Sequence, residues 1–410
     1  MRTRGPGPPR VAFDGRSLAC PVPRGWDRYA IGLVGELARR GVEVTLLHRA
    51  RQPLHAPHVA DLGCRVLGLA DRGGLHYEQV AVPRALRRGR FDLFHAPFEH
   101  GVPLAAPCPV VLTIHSVTAA SYAELIRRGL LPGRVGDYLG HDVPQWSPRA
   151  CYWRAQVARA DHILTPSAFC REEVVRLLGV APGRVTVTPL AAAAQFRRPA
   201  LAAADRAAVL ARLGVRRPYV LYVGGYEPHK NLGGLLEAFA PVRAARPALT
   251  LVTVGSTPVP EAIVPRARRL GLDAGGAVVF LSGITEDLTT LYDEAELLVT
   301  LSWRETFCLP ALEAMTRGVP AVASAWGAAR EVVAETGRLV DPRDPAAARR
   351  AILDLLAEPD PVGRRAGLRQ QARRFSWERT ATRTQAVYDR LRAGRSPDRP
   401  AGSPAAGVPR

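Results

Sequence analysis

Long apolar runs are missing from this chain. No stretch reaches the roughly 18 uninterrupted apolar residues of a spanning helix, which argues against an ordinary transmembrane segment. The leader MRTRGPGPPR is basic, but it runs straight into VAFDG, where Asp14 and Arg16 interrupt any apolar core of a secretion signal. Residues 1–10 are therefore expected to be a disordered tail. Metal-ligand spacing is missing too. Cys20, Cys64, Cys108, Cys151, Cys170 and Cys308 form no CxxC and have no adjacent histidine, which speaks against a zinc cage or a disulfide framework. Scattered thiols of this kind fit a reducing cytoplasm. Neither GxxxxGK[ST] nor GxGxxG is found at the glycine turn described below, so it is neither a P-loop nor a dinucleotide fingerprint. Lysine is the scarcest feature. Of 56 basic residues only Lys230 is a lysine.

Charge of one sign is in excess, at +19. The arginines are spread over every element with abundant Ala, Gly and Pro, a pattern of composition and not a basic stripe. No helix-turn-helix, zinc finger or aromatic-basic ribonucleoprotein motif accompanies them, so nucleic acid is not the expected partner. The charge suits an anionic substrate or peripheral contact with an anionic membrane equally well.

At 410 residues the chain exceeds what one core usually serves, and two domains are expected. Short β-branched runs at 11–15, 42–47, 91–96, 109–116, 161–167 and 184–189 alternate with helical patterns over Trp26–Arg40, His76–Arg88 and Phe169–Leu178. A second set of runs lies at 219–225, 249–255, 277–283, 296–302, 319–324 and 338–341, with helical segments between them and a long amphipathic stretch over 364–392. This alternation predicts an α/β protein with parallel sheets covered on both faces. The expected layout is a Rossmann-like acceptor domain over 11–195, an Ala- and Arg-rich linker over 196–215, and a Rossmann-like donor domain over 216–375. A closing helix over 376–392 and a disordered tail over 393–410 complete it.

Two segments carry chemistry. The first, Val223-Gly224-Gly225-Tyr226-Glu227-Pro228-His229-Lys230-Asn231, falls between a strand and a helix. Glycines there let the backbone approach a ligand, the helix start offers N–H groups to an anion, and Lys230 adds a mobile point charge for a diphosphate. The second, Trp303-Arg304-Glu305-Thr306-Phe307-Cys308-Leu309-Pro310-Ala311-Leu312-Glu313, places two glutamates either side of a turn entering a helix, with Pro310 suited to a first helical position. Its opening N–H groups favour an anion or sugar hydroxyls. Taken singly, each segment also fits a structural turn, with Glu305 as a capping aid and Glu313 as a surface charge.

In order and together, these segments resemble glycosyltransferase family 4, retaining enzymes of the GT-B fold. Arg24-Gly25-Trp26-Asp27-Arg28-Tyr29 is similar to the family's N-terminal glycine loop, and DLFHAP (92–97) and VVLTIHS (110–116) to two of its strands. Residues 160–190 and FSWERTA (375–381) resemble its domain-closing segment and last helix. The resemblance implies two Rossmann-like domains facing each other across a cleft. It implies that Lys230 binds the donor diphosphate and that Gly25, Gly224 and Gly225 let the backbone come close. Glu305 and the backbone of Thr306, Phe307, Cys308 and Leu309 would hold the sugar, and Glu313 the ribose. His115 would stand beside the scissile bond, although a buried histidine ending a strand is the plainer alternative. Ser167 is a weaker candidate contact.

Five departures stand out. Asp27 replaces a glycine, Ser116 a common Asp, Leu190 a common Asn and Arg330 a frequent Pro, and neither Gly225 nor His229 is the usual second cation. A protonated His229 or Arg28 is expected to supply that second charge. Asp27 is expected either to face a polyhydroxylated or amino acceptor or to cap its helix.

The expected activity is metal-independent, cofactor-free transfer of a hexose from a nucleoside-diphosphate sugar to a hydroxyl of a glycan, lipid-linked or small-molecule acceptor. The expected location is the cytoplasm or the inner membrane face. YVGG…KN and SWRETF resemble mannosyltransferase-like members, so GDP-mannose is the donor expected first and UDP-hexoses next. The alternatives are a nucleotide-sugar epimerase and a silent nucleotide-sugar-binding protein.

Overall fold

Two all-parallel sheets carry the chain. The first runs in the order β3-β2-β1-β4-β5-β6-β7. Its strands are β1 (Arg10–Asp14), β2 (Glu43–Arg49), β3 (Arg65–Leu69), β4 (Leu93–Ala96), β5 (Val110–Thr113), β6 (His162–Thr165) and β7 (Val185–Val187). The second runs β10-β9-β8-β11-β12-β13. It comprises β8 (Tyr219–Val223), β9 (Thr250–Gly255), β10 (Val278–Ser282), β11 (Leu297–Thr300), β12 (Ala321–Ser324) and β13 (Arg338–Val340). The computed structural model describes residues 7–21, 25–139, 148–358 and 362–394. Arg24 and the terminal stretches 1–6 and 395–410 lie outside the described residues. Among those described, no helix is long and apolar enough to cross a membrane.

The central strands β4, β5 and β6 are buried along their whole length, as strands covered on both faces must be, and are mostly apolar, with His95, Thr113, His162 and Thr165 as their buried polar residues. In both sheets the chain fills one side of the first strand and then crosses to the other. The crossings lie between β1 and β4 and between β8 and β11. Open α/β sheets bind ligands at the carboxyl ends of strands at such switch points. There the second sheet presents the loop after β8, which carries Gly224 to Lys230, and the loop after β11, which carries Ser302 to Cys308.

Six helices position these loops. They are α1 (Gly25–Arg39), α2 (Ala168–Leu178), α3 (Leu232–Ala245), α4 (Leu309–Arg317), α5 (Ala329–Val333) and α6 (Trp377–Ala393). In α1 the residues Tyr29, Leu33, Val34 and Leu37 are wholly buried, as their 3–4-residue spacing predicts. Helix α2 starts at Ser167, whose hydroxyl accepts the Cys170 N–H at 3.0 Å. Helix α6 starts the same way at Ser376 and packs along α1, where a Cβ on Gly32 would run into the Trp377 ring. One continuous apolar cluster, including Leu33, Phe196, Phe307, Leu312 and Tyr388, joins the two halves.

Some elements differ from expectation. The first strand already includes Arg10, within the expected tail. Edge strand β3 was not expected, and its RVLGL segment is largely exposed. The stretch 364–392 is two helices, Val362–Ala372 and α6, because Ser376 caps a new start. The helix expected over His76–Arg88 widens into a π turn at Tyr77–Ala81, just before Pro83. The linker region holds one helix, Ala203–Arg212.

Candidate functional site

Lys230 and Glu305 meet at the second sheet's switch point. The Lys230 Nζ lies 2.9 and 3.1 Å from the two Glu305 carboxylate oxygens, and the Ser302 hydroxyl donates to Oε1 at 2.7 Å. Burial works to raise the Glu305 carboxyl, but the Lys230 charge and the Ser302 hydrogen bond outweigh it and hold it below the usual range. The same pairing outweighs desolvation at Lys230 and raises its ammonium. Both groups are therefore charged at neutral pH. The Glu305 backbone is held by Gly327 and Ala328: the Ala328 N–H donates to the Glu305 carbonyl at 2.8 Å. Gly327 has φ +77°, and a Cβ there would stand 2.5 Å from that carbonyl oxygen.

Thr306, Phe307, Cys308 and Leu309 lead into α4. Cys308 occupies the left-handed region at φ 79°, uncommon for a side chain with a Cβ, and no side chain caps the helix start. The positive end of the helix dipole therefore faces this turn, where an anion is favoured. The glycines expected to admit a ligand follow β8, where the Tyr222 hydroxyl donates to the Gly225 carbonyl at 2.6 Å, and Gly224 precedes it.

Glu313, one turn into α4, is not a surface charge. It is 1% exposed, accepts the Tyr292 hydroxyl at 3.0 Å and pairs with Arg28 of α1 at 2.6 Å. Burial raises its carboxyl, and Arg28 offsets this only in part. Gly25 opens α1 close by: a Cβ there would lie 4.0 Å from the Leu309 side chain. The start of α1 and the start of α4 therefore face one another, with the Arg28 guanidinium of α1 on the Glu313 carboxylate of α4.

His229 does not supply the expected second charge. Burial first, and the Lys230 charge second, push its imidazole down to about 3, so it is neutral, and its Nδ1 lies 2.9 Å from the Tyr122 hydroxyl. Asp27 is 1% exposed and lies in the first turn of α1. Ser167 caps α2 and donates to the Thr306 carbonyl at 2.6 Å, so it holds the loop after β11 from the first half.

His115 follows β5 and is 8% exposed. Its Nε2 lies 2.9 Å from the Pro97 carbonyl, which can only accept, so Nε2 carries the proton and Nδ1 is the basic nitrogen. Glu99 accepts the N–H groups of both His115 and Ser116, at 3.0 and 2.9 Å, and so supplies a carboxylate where Ser116 lacks one. Burial lowers the His115 imidazole, opposed by Glu99.

Sequence reasoning missed the partners: Ser302, Tyr292, Glu99, Tyr122 and two links between the halves. Glu331 of α5 accepts the Ala168 and Phe169 N–H groups that open α2, at 2.9 and 2.8 Å. Arg304, beside Glu305, forms a buried ion pair with Glu173 of α2. Ser302 lies two residues after β11 and two before Arg304, a position the sequence marks. The rest depend on how the halves meet.

Comparison with known proteins identifies the chain's family. Residues 23–192 match glycosyltransferase family 4, and residues 211–375 match the glycosyl transferases group 1. The O-antigen chain mannosyltransferase B of Escherichia coli is 34% identical over 407 residues, covering 93% of this chain and 100% of that protein. The D-inositol 3-phosphate glycosyltransferase of Rhodococcus jostii (strain RHA1) is 30% identical over 400 residues, covering 87% and 82%. Among solved structures, Anabaena HepE in complex with UDP and glucose superposes with a TM-score of 0.71 at 17% identity, over 93% of this chain and 99% of that one, a likeness of fold. The chain belongs to glycosyltransferase family 4, and its two Rossmann-like domains form a GT-B fold.

Proposed function

We propose, with that family membership as premise, that this glycosyltransferase moves a hexose from a nucleoside-diphosphate sugar to a hydroxyl of a glycan, lipid-linked or small-molecule acceptor, with retention of configuration. The observation that carries the reading is the pairing of Glu305 with Lys230 and of Glu313 with Arg28, at either end of one turn before and into α4. Departure of a nucleoside diphosphate leaves negative charge on oxygen. Lys230, Arg28 and the start of α4 offer compensating charge and oriented donors in a largely buried site. When the diphosphate takes Lys230, the Glu305 carboxylate is released to the sugar hydroxyls, and Glu313 is placed for the ribose.

His115 stands at the reacting sugar, with Nδ1 as its basic nitrogen. The leaving phosphate itself takes the acceptor proton as the acceptor attacks from the same face. GDP-mannose is the first donor to test, supported by a relative named as a mannosyltransferase, and UDP-hexoses come next, supported by the UDP and glucose bound to HepE. The arginine-rich surface suits peripheral contact with an anionic membrane carrying a lipid-linked acceptor.

The test is binding and slow hydrolysis across a panel of GDP- and UDP-sugars, comparing the native chain with Lys230→Ala and Glu305→Ala. Selective binding lost in Lys230→Ala and hydrolysis lost in Glu305→Ala is the expected result. An epimerase would convert the donor sugar without releasing it, and a silent protein would bind the donor and leave it intact. No binding by any nucleotide sugar, or native behaviour in both variants, overturns the donor-site reading.

A further inference from the structure

Beneath His115 a row of polar side chains runs through the first half, closed to solvent. The Tyr388 hydroxyl, on α6, lies 2.6 Å from Nδ1 of His95. His95 Nε2 lies 2.7 Å from the Thr113 hydroxyl, and the Tyr29 hydroxyl, on α1, lies 3.0 Å from the same oxygen. Tyr388, His95 and Tyr29 are wholly buried and Thr113 is 1% exposed. The Tyr29 ring then meets the His115 ring edge to face, with centroids 4.9 Å apart at 79°.

Packing alone does not ask for these residues. Phenylalanine, leucine and valine would fill the same space without burying polar atoms, each of which costs free energy unless it is paired. Here every link is paired. The row also converges on one place: Thr113 ends β5 and His115 follows two residues on, so the alternation of a strand brings both toward Tyr29. Tyr29 bridges them, with its hydroxyl on Thr113 and its ring on His115. Burial first, and the charge of His115 second, push the His95 imidazole down to about 3. A neutral ring donates from one nitrogen and accepts at the other, so the hydroxyls at its two ends must align in one sense. His95 is thereby held at both edges, and Thr113 is held between His95 and Tyr29.

We propose that His95 is a positioning residue for His115: through Thr113 and Tyr29 it fixes the ring against which the His115 imidazole rests, and Tyr388 makes that placement depend on α6 being docked. The inference deepens the reading of His115 as a group at the reacting sugar and rests on it for its functional meaning. Its consequence is that the closing helix sets the orientation of a side chain in the cleft. When α6 lifts, Tyr388 leaves His95, and the His115 ring loses its single orientation.

The test needs no substrate. The full chain is labelled with 15N-histidine, and the imidazole nitrogens of His115 are followed by long-range proton–nitrogen correlation at neutral pH. The native chain is expected to show His115 as one tautomer, protonated at Nε2. Tyr388→Phe and Thr113→Val, each removing one hydroxyl with little change of volume, are expected to lose that single tautomer, and Thr113→Ser to retain it. A merely structural role would lower the melting temperature of the variants and leave the His115 signals of the folded chain where they were. Unmoved His115 signals in folded Tyr388→Phe and Thr113→Val overturn the proposal. Should one of these fail to fold, the comparison of the other with Thr113→Ser decides. Failure of the nucleotide-sugar panel would instead remove the reading of the site and leave this measurement standing on its own.

Discussion

The Arg28 guanidinium stands 2.6 Å from the Glu313 carboxylate, although 285 positions separate them in the chain. The first helix of one half therefore sets a cation on a buried carboxylate of the other and offsets part of the burial that raises that carboxyl. Arg28→Ala strands that carboxylate. Breaking a buried pair by removing one partner costs about 3–5 kcal/mol, and because Arg28 is partly exposed the lower end applies. Equilibrium urea unfolding is expected to show that loss, together with an increase in donor KM of about tenfold, a loss of about 1.4 kcal/mol in binding. Arg28→Ala with native values of both would show that the pair supports neither folding nor the donor site.

Gly327 has no room for a side chain. Its φ is +77°, and a Cβ would press on the Glu305 carbonyl oxygen at 2.5 Å. Gly327→Ala is expected to fold, at a cost of about 1–3 kcal/mol of backbone strain, and to displace Glu305. Since misplacement near 1 Å can cost about a hundredfold in rate, donor turnover should fall at least about tenfold. Kinetics on the donor identified by the panel check it, and native turnover in the variant would mean that the Glu305 loop does not need its present backbone path.

His95 also gives stability a pH dependence. Its folded pKa is about 3, below the ordinary 6.5, so as pH falls the unfolded chain takes the proton first. The stability from a neutral His95 is full above pH 6.5 and is lost as pH falls towards 3. His95→Asn, which cannot titrate, is expected to be less stable than the native chain at pH 7. Between pH 7 and pH 5 it should lose about 2 kcal/mol less than the native chain does. Chemical denaturation of both proteins at the two pH values measures the difference, and equal losses would place the His95 pKa elsewhere.

Glu331 caps α2 from the opposite half, through two N–H groups at 2.9 and 2.8 Å. A carboxylate at a helix start gains from both the hydrogen bonds and the dipole, so Glu331→Ala should cost about 1–2 kcal/mol. That cost falls on the closed arrangement of the halves. Small-angle scattering is expected to report a larger radius of gyration for the variant, and an unchanged radius would mean that the remaining contacts suffice to hold the closure.

Much of this is legible in the sequence. The alternation of apolar runs with helical patterns predicts two parallel sheets because buried strands and amphipathic helices differ in period. Lys230 and Glu305 were identifiable because each follows a strand at a turn into a helix, where physics favours anions. Strand β3 was not legible, since an exposed edge strand needs no apolar run. Arg28 was named only as an alternative source of charge, and its partner Glu313 was out of reach, because their contact depends on the docking of the halves. His229 was misjudged for the same reason: its neutrality follows from burial by Tyr122 and other neighbours distant in sequence.

Lys230 is the chain's only lysine, and it lies largely buried against Glu305. The ε-amines of this protein therefore number one, and that one sits at the candidate donor site. An amine-reactive acyl reagent, with the amino terminus set aside, adds at one site at most, and the rate of that single addition by intact mass, slow in the Glu305 pair, is expected to change when a donor takes the amine. Site occupancy thus becomes readable on the scale, with no radiolabel, no coupled assay and no knowledge of the acceptor.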